Sequence, residues 1–254
     1  MEVTQHSFAA RDGVRLVWRE AGAGRPLILL HGLFSDAQMN WIKWGTAQTL
    51  ADAGHRLIML DLRAHGLSDK PHDPAAYRPG VLAEDVADLV AELGLAPGEF
   101  DLAGFSLGAR TAVRAVMDGV APRRLILAGM GYEGLTGWAR RREFFLRAID
   151  RFETVKRGDP DFMAVGFMKT MQVDRVAARL LLEALDDIDV HQLAARVTMP
   201  TLVLSGTEDR DNGSPERLAE SLPDAELGWV PGTHMTSVME AGLGAAMVAF
   251  LGGG

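Results

Sequence analysis

The chain has 254 residues, of which 48% are hydrophobic and 24% charged, a composition that supports a sizeable core and excludes intrinsic disorder. Its 26 basic and 34 acidic residues give a net charge of −8, and the longest basic run covers residues 140–142. Neither nucleic acid nor an acidic membrane surface is therefore an expected partner. No cysteine is present, which excludes disulfides, thiolate metal sites and a cysteine nucleophile.

The sequence near the two ends leads us to expect neither a targeting segment nor a membrane-spanning segment. The first residues have neither the basic nor the apolar region of a signal peptide. The apolar stretch at residues 241–250 is shorter than the roughly 20 residues that a membrane-spanning helix needs. We therefore expect a cytoplasmic protein that does not enter a membrane and exists as a monomer or a homodimer.

Short β-rich runs alternate with longer amphipathic segments along the chain. Most of these runs are continuously apolar, as expected of strands that are buried on both faces of a parallel sheet. The predicted strands are residues 14–18, 27–30, 57–60, 100–103, 125–128 and 201–204, and clear helical patterns cover residues 81–93 and 109–117. This alternation predicts a three-layer α/β fold with a mostly parallel sheet.

Residues 131–197 interrupt the alternation. They contain no convincing strand, but apolar residues such as Val173, Val176 and Leu180 recur at helical spacings of three and four. We predict a helical cap inserted between two strands, with residues 1–130 and 198–254 forming the core. Surface helices without a role at a site remain the alternative. A cap is favoured because ligands of open α/β sheets bind outside the carboxyl ends of the strands.

The most informative motif is Gly104-Phe105-Ser106-Leu107-Gly108, which follows a predicted strand and precedes a helical pattern. A G-x-S-x-G turn in this context typically exposes its serine as a nucleophile. The two glycines allow the strand and the helix to approach closely. Ser106 is therefore the candidate nucleophile, and the alternative is an ordinary turn in which Ser106 caps the helix.

A serine nucleophile needs a base, and the base needs a carboxylate to orient it. His234 lies in a loop after a short β-like run and before a helix predicted near Ser237, while Asp209 follows the strand at residues 201–204. The order Ser106, Asp209, His234 is typical of this fold. The competing carboxylates are Glu133, Glu208 and Asp211, and Asp209 could alternatively serve only the turn.

A tetrahedral oxyanion needs two converging backbone amides. The residue after the nucleophile, Leu107, supplies one. The second is expected from the loop that follows the strand at residues 27–30, which begins His31-Gly32-Leu33-Phe34. We assign it to Leu33, with Phe34 as the alternative, and expect His31 to hold the loop by hydrogen bonds.

Five motifs in this order resemble the α/β-hydrolase superfamily. They are His31-Gly32-Leu33-Phe34, Asp61-Leu62-Arg63-Ala64-His65-Gly66-Leu67-Ser68, the turn at residues 104–108, residues 206–209 and Gly232-Thr233-His234. The resemblance implies an eight-stranded sheet, a Ser106–His234–Asp209 triad and no cofactor or metal. Ala64 departs from the usual glycine. Superfamily members that open epoxides or remove halides carry aspartate at the nucleophile position, and Ser106 argues against both activities.

Apolar side chains near these motifs form the candidate substrate pocket. They are Phe34, Trp41, Phe105, Met130, Phe167 and Met235. Such residues form an apolar wall for an acyl or alcohol group or, equally, fill a core. The basic run at residues 140–142 would suit a carboxylate-bearing substrate, although a solvated helix face is the more usual role of such a run.

The sequence therefore predicts a cofactor-independent serine hydrolase, a carboxylesterase that acts on a small-molecule ester. Three other reactions use the same triad: lactone hydrolysis, C–C bond hydrolysis and peracid formation. A small-molecule sensor of hydrolase fold is the alternative outside enzymology. Fold analogy does not choose among these possibilities.

Overall fold

The computed structural model describes residues 1–253. Its strands are β1 (Thr4–Ala9), β2 (Arg15–Gly22), β3 (Arg25–Leu30), β4 (His55–Asp61), β5 (Asp101–Phe105), β6 (Leu125–Ala128), β7 (Thr201–Gly206) and β8 (Ala225–Val230). They form one sheet in the order β1-β2-β4-β3-β5-β6-β7-β8. Strand β2 runs antiparallel to β1 and β4, and all other pairs are parallel.

Ten α-helices occur within residues 1–253. They are α1 (Thr46–Asp52), α2 (Val81–Glu92), α3 (Leu107–Met117), α4 (Tyr132–Thr136), α5 (Trp138–Asp150), α6 (Phe162–Thr170), α7 (Arg175–Ala184), α8 (Leu193–Arg196), α9 (Pro215–Glu220) and α10 (Ala241–Gly252). A π-helical turn covers Gln38–Ile42, and 3₁₀ turns cover Pro74–Ala76, Val190–Gln192 and Ser237–Met239. Across these described residues, no helix combines the length and apolarity needed to cross a bilayer.

The predicted three-layer fold with a mostly parallel eight-stranded sheet is confirmed. The continuously apolar runs form strands of the sheet. In β3 and β7, for example, most residues are buried, as strands covered on both faces require. Strand β1 was not among the predicted strands. Five of its six residues are exposed at the sheet edge, so it lacks the apolar pattern that marks the others. The helix expected near Ser237 begins instead at Ala241, after a 3₁₀ turn.

Alternate residues of the central strands pack on opposite faces of the sheet, as the two-residue period of a strand requires. Ile28 and Leu30 of β3 belong to the core cluster that also contains residues of α2 and α3. Leu27 and Leu29 belong to a second cluster with residues of α1 and α10. The sheet is therefore covered by helices on both sides, and its strand ends remain available for a site.

Residues 131–197 contain helices α4 to α8 and no strand. Helices α5, α6 and α7 share a third apolar cluster, whose buried members include Trp138, Val165 and Leu182. The core contributes Phe34 to the same cluster. This contact places the helical segment next to the loop that follows β3. The division into a core and a cap remains a prediction.

Candidate active site

Three predicted site residues follow three parallel strands of the sheet. Ser106 comes directly after β5, Asp209 lies three residues beyond β7, and His234 lies four residues beyond β8. The carboxyl ends of parallel strands meet at one edge of a sheet, so residues far apart in sequence come together there. All three residues are at least nine-tenths buried.

The turn at Ser106 has the sharp geometry that the G-x-S-x-G motif predicts. Ser106 has φ 53° and ψ −112°, a conformation that L-residues rarely adopt. A Cβ atom on Gly104 would lie 2.2 Å from the carbonyl carbon of Gly108, and one on Gly108 would lie 2.1 Å from the carbonyl oxygen of Leu30. Both glycines are therefore required by close backbone approach.

A chain of hydrogen bonds connects the three side chains. His234 Nε2 lies 2.9 Å from Ser106 Oγ, and His234 Nδ1 lies 2.8 Å from Asp209 Oδ2. A carboxylate only accepts hydrogen bonds, so Nδ1 carries the proton and donates to Asp209. In the neutral ring, Nε2 is then the acceptor for the Ser106 hydroxyl. This arrangement suits proton transfer from the serine.

Asp209 is ionised in this environment. Burial alone would raise the pKa of Asp209, but hydrogen bonds from His234 and from the backbone amide of Asp211, at 2.9 Å, hold it below its usual value. Glu133 instead accepts hydrogen bonds from the Ser214 amide and Arg217. Glu208 is exposed. Of the four candidate carboxylates, Asp209 is the one bonded to His234.

Two backbone amides are available beside Ser106. The amide of Leu107 is the first of α3, where helix geometry leaves N–H groups without a helical acceptor. Within residues 1–253, the amide of Leu33 donates to no acceptor, and neither does that of Phe34. Leu33, Ser106 and Leu107 line one cavity, whereas Phe34 lines another. This placement favours Leu33 over Phe34 as the second amide.

The buried side chains of His31 and Asn40 hold the loop that carries Leu33. His31 Nδ1 donates to the carbonyl of Gly32 at 2.8 Å, and its Nε2 accepts from the amide of Leu62 at 3.0 Å. Asn40 Oδ1 accepts from the amide of Gly32 at 3.0 Å. Both ring nitrogens of His31 are thus engaged by backbone groups, in agreement with its expected role in the loop.

The cavity at Ser106 has a volume of about 10 Å³, room for about one water molecule. Besides the serine it is lined by Leu33, Leu107, Arg110, Met130, Gly134, Trp138, Arg141 and Asn212. Of the six predicted pocket residues, Met130 lines this cavity. Phe105 lies beside the site, with its ring 5.1 Å from the His234 ring.

The structure places the other four predicted pocket residues elsewhere. Trp41 has no exposed surface and packs in the core cluster with α1 and α10. Phe34 and Phe167 belong to the cluster of the 131–197 helices. Met235 is 48% exposed. None of these four lines the cavity at Ser106, because apolar composition near a motif does not specify which way a side chain faces.

Five cavity residues were not among the predicted site residues: Arg110, Gly134, Trp138, Arg141 and Asn212. Arg141 belongs to the basic run for which a solvated face was the expected role, yet it is only partly exposed. Helical periodicity gave no signal for it, because α5 turns both an aromatic and a charged side chain, Trp138 and Arg141, toward the cavity at Ser106. Its position depends on tertiary packing alone.

A single group of three potential metal ligands occurs within residues 1–253. Ligand atoms of Asp209, Asp211 and His234 lie within 4.8 Å of one another. The Asp209–His234 hydrogen bond already uses two of these groups, and a metal here would have to replace it. The expectation that no metal or cofactor is needed stays a prediction.

A mostly parallel eight-stranded sheet with serine, aspartate and histidine at its strand ends is the arrangement typical of the α/β-hydrolase fold. The family model described as "alpha/beta hydrolase fold" matches residues 25–125. An N-formylmaleamate deformylase from Pseudomonas putida is 29% identical over 242 residues, which cover 86% of this chain and 85% of that protein.

Solved structures agree with this match. The enol-lactonase from Burkholderia xenovorans has a TM-score of 0.75 at 22% identity, over 97% of this chain and 100% of that one. The esterase RhEst1 from a Rhodococcus species has a TM-score of 0.73 at 25% identity, over 100% and 99% of the two chains. The family match and these structures show the α/β-hydrolase fold for this chain and support its membership of the α/β-hydrolase superfamily.

Proposed function

We propose that the chain is a cofactor-independent serine hydrolase that cleaves carboxylic esters through an acyl-enzyme on Ser106. The observation that carries this proposal is the hydrogen-bonded series Ser106–His234–Asp209, with both distances below 3.0 Å. A base within this distance of the hydroxyl proton meets the geometric requirement for general base catalysis. The ester is the default substrate because this machinery serves acyl transfer in general.

In the first half of the reaction, Ser106 Oγ bonds to the ester carbonyl carbon while His234 Nε2 accepts the hydroxyl proton. Asp209 stabilises the imidazolium that forms. The amides of Leu33 and Leu107 stabilise the oxyanion, each contributing about 3 kcal/mol to the transition state. The bond from carbon to the alcohol oxygen then breaks, and His234 returns its proton to the leaving alkoxide.

In the second half, a water molecule attacks the acyl-enzyme. His234 Nε2 takes one proton from the water as its oxygen bonds to the acyl carbon, and the bond from carbon to Ser106 Oγ breaks. The proton passes to Ser106, and a carboxylic acid leaves. The cavity at Ser106 has the volume of the one water that this step needs.

The same cavity is too small for an ester as it stands. The lining includes Trp138 and Arg141 of α5, so a movement of this helix would enlarge the site. We therefore propose that residues 131–197 act as a cap, and that displacement of α5 opens the site. Under this proposal the inserted helices control access to the site, whereas helices that only cover the surface would have no such role.

Amide hydrolysis is the second candidate. The relative that is 29% identical is an N-formylmaleamate deformylase, whose name denotes removal of a formyl group from nitrogen. The proposed steps are the same for an amide, with His234 protonating a leaving nitrogen. An ester and its amide analogue, compared on one enzyme, distinguish the two candidates by their kcat/KM values.

The test is hydrolysis of p-nitrophenyl esters from acetate to octanoate by the wild type and by Ser106→Ala. We expect repeated turnover by the wild type and a loss of at least about a thousandfold in the variant, since the nucleophile is removed. Ser221→Ala is the matched control, because the Ser221 hydroxyl donates to the Leu218 carbonyl at the end of α9. It should retain wild-type rates.

Two results would contradict the proposal. If Ser106→Ala retains activity, Ser106 is not the nucleophile. A folded wild type that turns over no ester would remove the esterase assignment, and amides, lactones and C–C bonds would be tested next. Tight binding of a small molecule with a single slow turnover would instead favour a sensor.

A further inference from the structure

Two guanidinium groups line the cavity at Ser106. Arg110 comes from α3 and Arg141 from α5. Within residues 1–253 neither lies within 4.0 Å of a carboxylate oxygen, and both make their hydrogen bonds to neutral oxygen atoms. The wall beside the candidate nucleophile therefore carries positive charge that no acidic side chain neutralises by direct contact.

Arg110 has a structural role, because its guanidinium group donates hydrogen bonds to three backbone carbonyls. Its Nη1 donates to the carbonyls of Gly134 and Leu135, at 2.8 and 2.9 Å, and its Nη2 donates to the carbonyl of Asp186. Burial lowers the pKa of Arg110 to about 10, so it stays charged at neutral pH. Arg110 thus ties the end of α4 to the core and is occupied by the fold.

Arg141 is only partly occupied. Its Nη1 donates to the carbonyl of Asp211 at 2.7 Å and to Asn212 Oδ1. Its Nε and Nη2 have no hydrogen-bond partner in the part of the chain that the structure describes. Arginine presents five N–H donors in a planar fork that fits a carboxylate. The unused donors of Arg141 leave one such edge available.

The charges around Arg141 give it no fixed partner. Burial lowers the pKa of Arg141, the carboxylates of Asp211 and Asp209 oppose that shift, and Arg140 reinforces it. Asp209 is committed to His234. Asp211 offers Arg141 its carbonyl oxygen, and its carboxylate stays beyond 4.0 Å. A half-buried cation in this position loses hydration without gaining an ion pair, which costs free energy.

Other arginines of the same helical segment are arranged differently. Arg147 and Arg151 bind the buried carboxylate of Asp161, and Arg179 pairs with Asp150. The segment therefore supplies partners for the cations that stabilise it. Among the described residues, Arg141 has no such carboxylate partner and lines the cavity of Ser106, and unneutralised charge in a cleft is typical of a binding site.

We propose that Arg141 binds a carboxylate of the substrate, so that the ester hydrolysed at Ser106 is an anionic one. This inference rests on the proposed function. Because Arg141 and Ser106 line the same small cavity, the carboxylate and the scissile carbonyl are separated by a short carbon chain, as in a monoester of a dicarboxylic acid. On binding, the substrate carboxylate pairs with Arg141 in a charge-assisted, bidentate contact.

The test compares monomethyl glutarate with dimethyl glutarate, which differ in charge on the same skeleton. We expect the wild type to prefer the monoester in kcat/KM. Arg141→Gln should lose about 10- to 100-fold on the monoester, as removal of a hydrogen bond between charged groups predicts, and change little on the diester. Arg141→Lys, which keeps the charge, should recover part of the loss. Arg140→Gln is the matched control, because Arg140 is the exposed neighbour in α5.

A measurement without turnover separates this inference from the proposed function. Calorimetry of monomethyl glutarate with Ser106→Ala should show binding that Arg141→Gln abolishes in the double variant. If Arg141→Gln hydrolyses both glutarate esters at the wild-type rate, or is slowed equally on both, Arg141 does not bind the substrate carboxylate. The esterase proposal is unaffected by that result. If neither ester is hydrolysed but binding of monomethyl glutarate depends on Arg141, the anion site is supported and the esterase proposal fails.

Discussion

At the scale of single residues, the carboxylate of Asp209 has two tasks. One oxygen accepts from His234 Nδ1 and the other from the amide of Asp211. The second bond fixes the direction of the carboxylate, and the first fixes the tautomer of the imidazole. Both bonds favour the ionised form of Asp209 and outweigh the effect of burial, so its pKa lies below the usual value. A permanent negative charge is what an imidazolium needs during the reaction.

Replacing that charge while keeping the shape gives a sharp prediction. Asp209→Asn should lower kcat by about 10⁴-fold, because an amide neither stabilises the imidazolium nor selects the correct tautomer. The matched control is Glu133→Gln, which changes the alternative carboxylate bonded to Ser214 and Arg217. Ester hydrolysis and thermal unfolding are measured for both variants. A large loss in Glu133→Gln with a small loss in Asp209→Asn would exchange their roles.

At the scale of secondary-structure elements, the site depends on how closely β5 and α3 approach. A Cβ on Gly104 would meet the backbone of both Gly108 and Ala109, at 2.2 and 2.4 Å. Backbone atoms cannot move aside as a flexible side chain can, so this contact fixes the angle between strand and helix. The turn conformation of Ser106, and hence the direction of its hydroxyl, follows from that contact.

Gly104→Ala should therefore destabilise the fold by about 3 kcal/mol or more, at the upper end of the cost of overpacking. Ester hydrolysis should fall with it, because the added methyl group displaces the turn at Ser106. Gly166→Ala in α6 is the control, since no atom lies within 4 Å of the added Cβ and alanine favours a helix by up to about 1 kcal/mol. Urea unfolding of both variants measures the difference. A neutral Gly104→Ala would mean that α3 is free to shift.

The elements also explain what could be predicted from the sequence. Ser106, Leu107 and the loop at Leu33 were predicted because a short motif specifies each of them, together with its turn. The central strands were predicted because continuous apolar runs are required where both faces are covered. Trp41 and Arg141 depend instead on how distant elements pack, and no local pattern records whether such a side chain faces the core, solvent or a cavity. Strand β1 was missed because a mostly exposed edge strand needs few apolar residues.

At the scale of the whole molecule, two buried histidines join the loops that follow β3 and β4. The rings of His31 and His65 lie 5.0 Å apart, and both are at least nine-tenths buried. Burial lowers the pKa of His31, and burial together with the neighbouring His31 lowers that of His65 to about 3. The fold therefore holds both rings neutral at pH values where free imidazole would be charged.

The consequence is a loss of stability in acid. Below a pH of about 6.5 the unfolded chain binds a proton at each histidine and the folded chain does not, so the free energy of unfolding falls as pH falls. Between pH 7 and 5, proton uptake by His65 in the unfolded chain alone should remove about 2 kcal/mol. His65→Asn keeps a donor for the carbonyl of Arg63 but does not titrate, so its free energy of unfolding should fall by about 2 kcal/mol less over this range. Urea titrations at pH 7, 6 and 5 measure this slope, and His191→Asn, at an exposed position, is the control for the substitution itself. An unaltered slope in His65→Asn would mean that His65 takes up a proton in the folded protein, and the neutral pair would then not be what links these two loops.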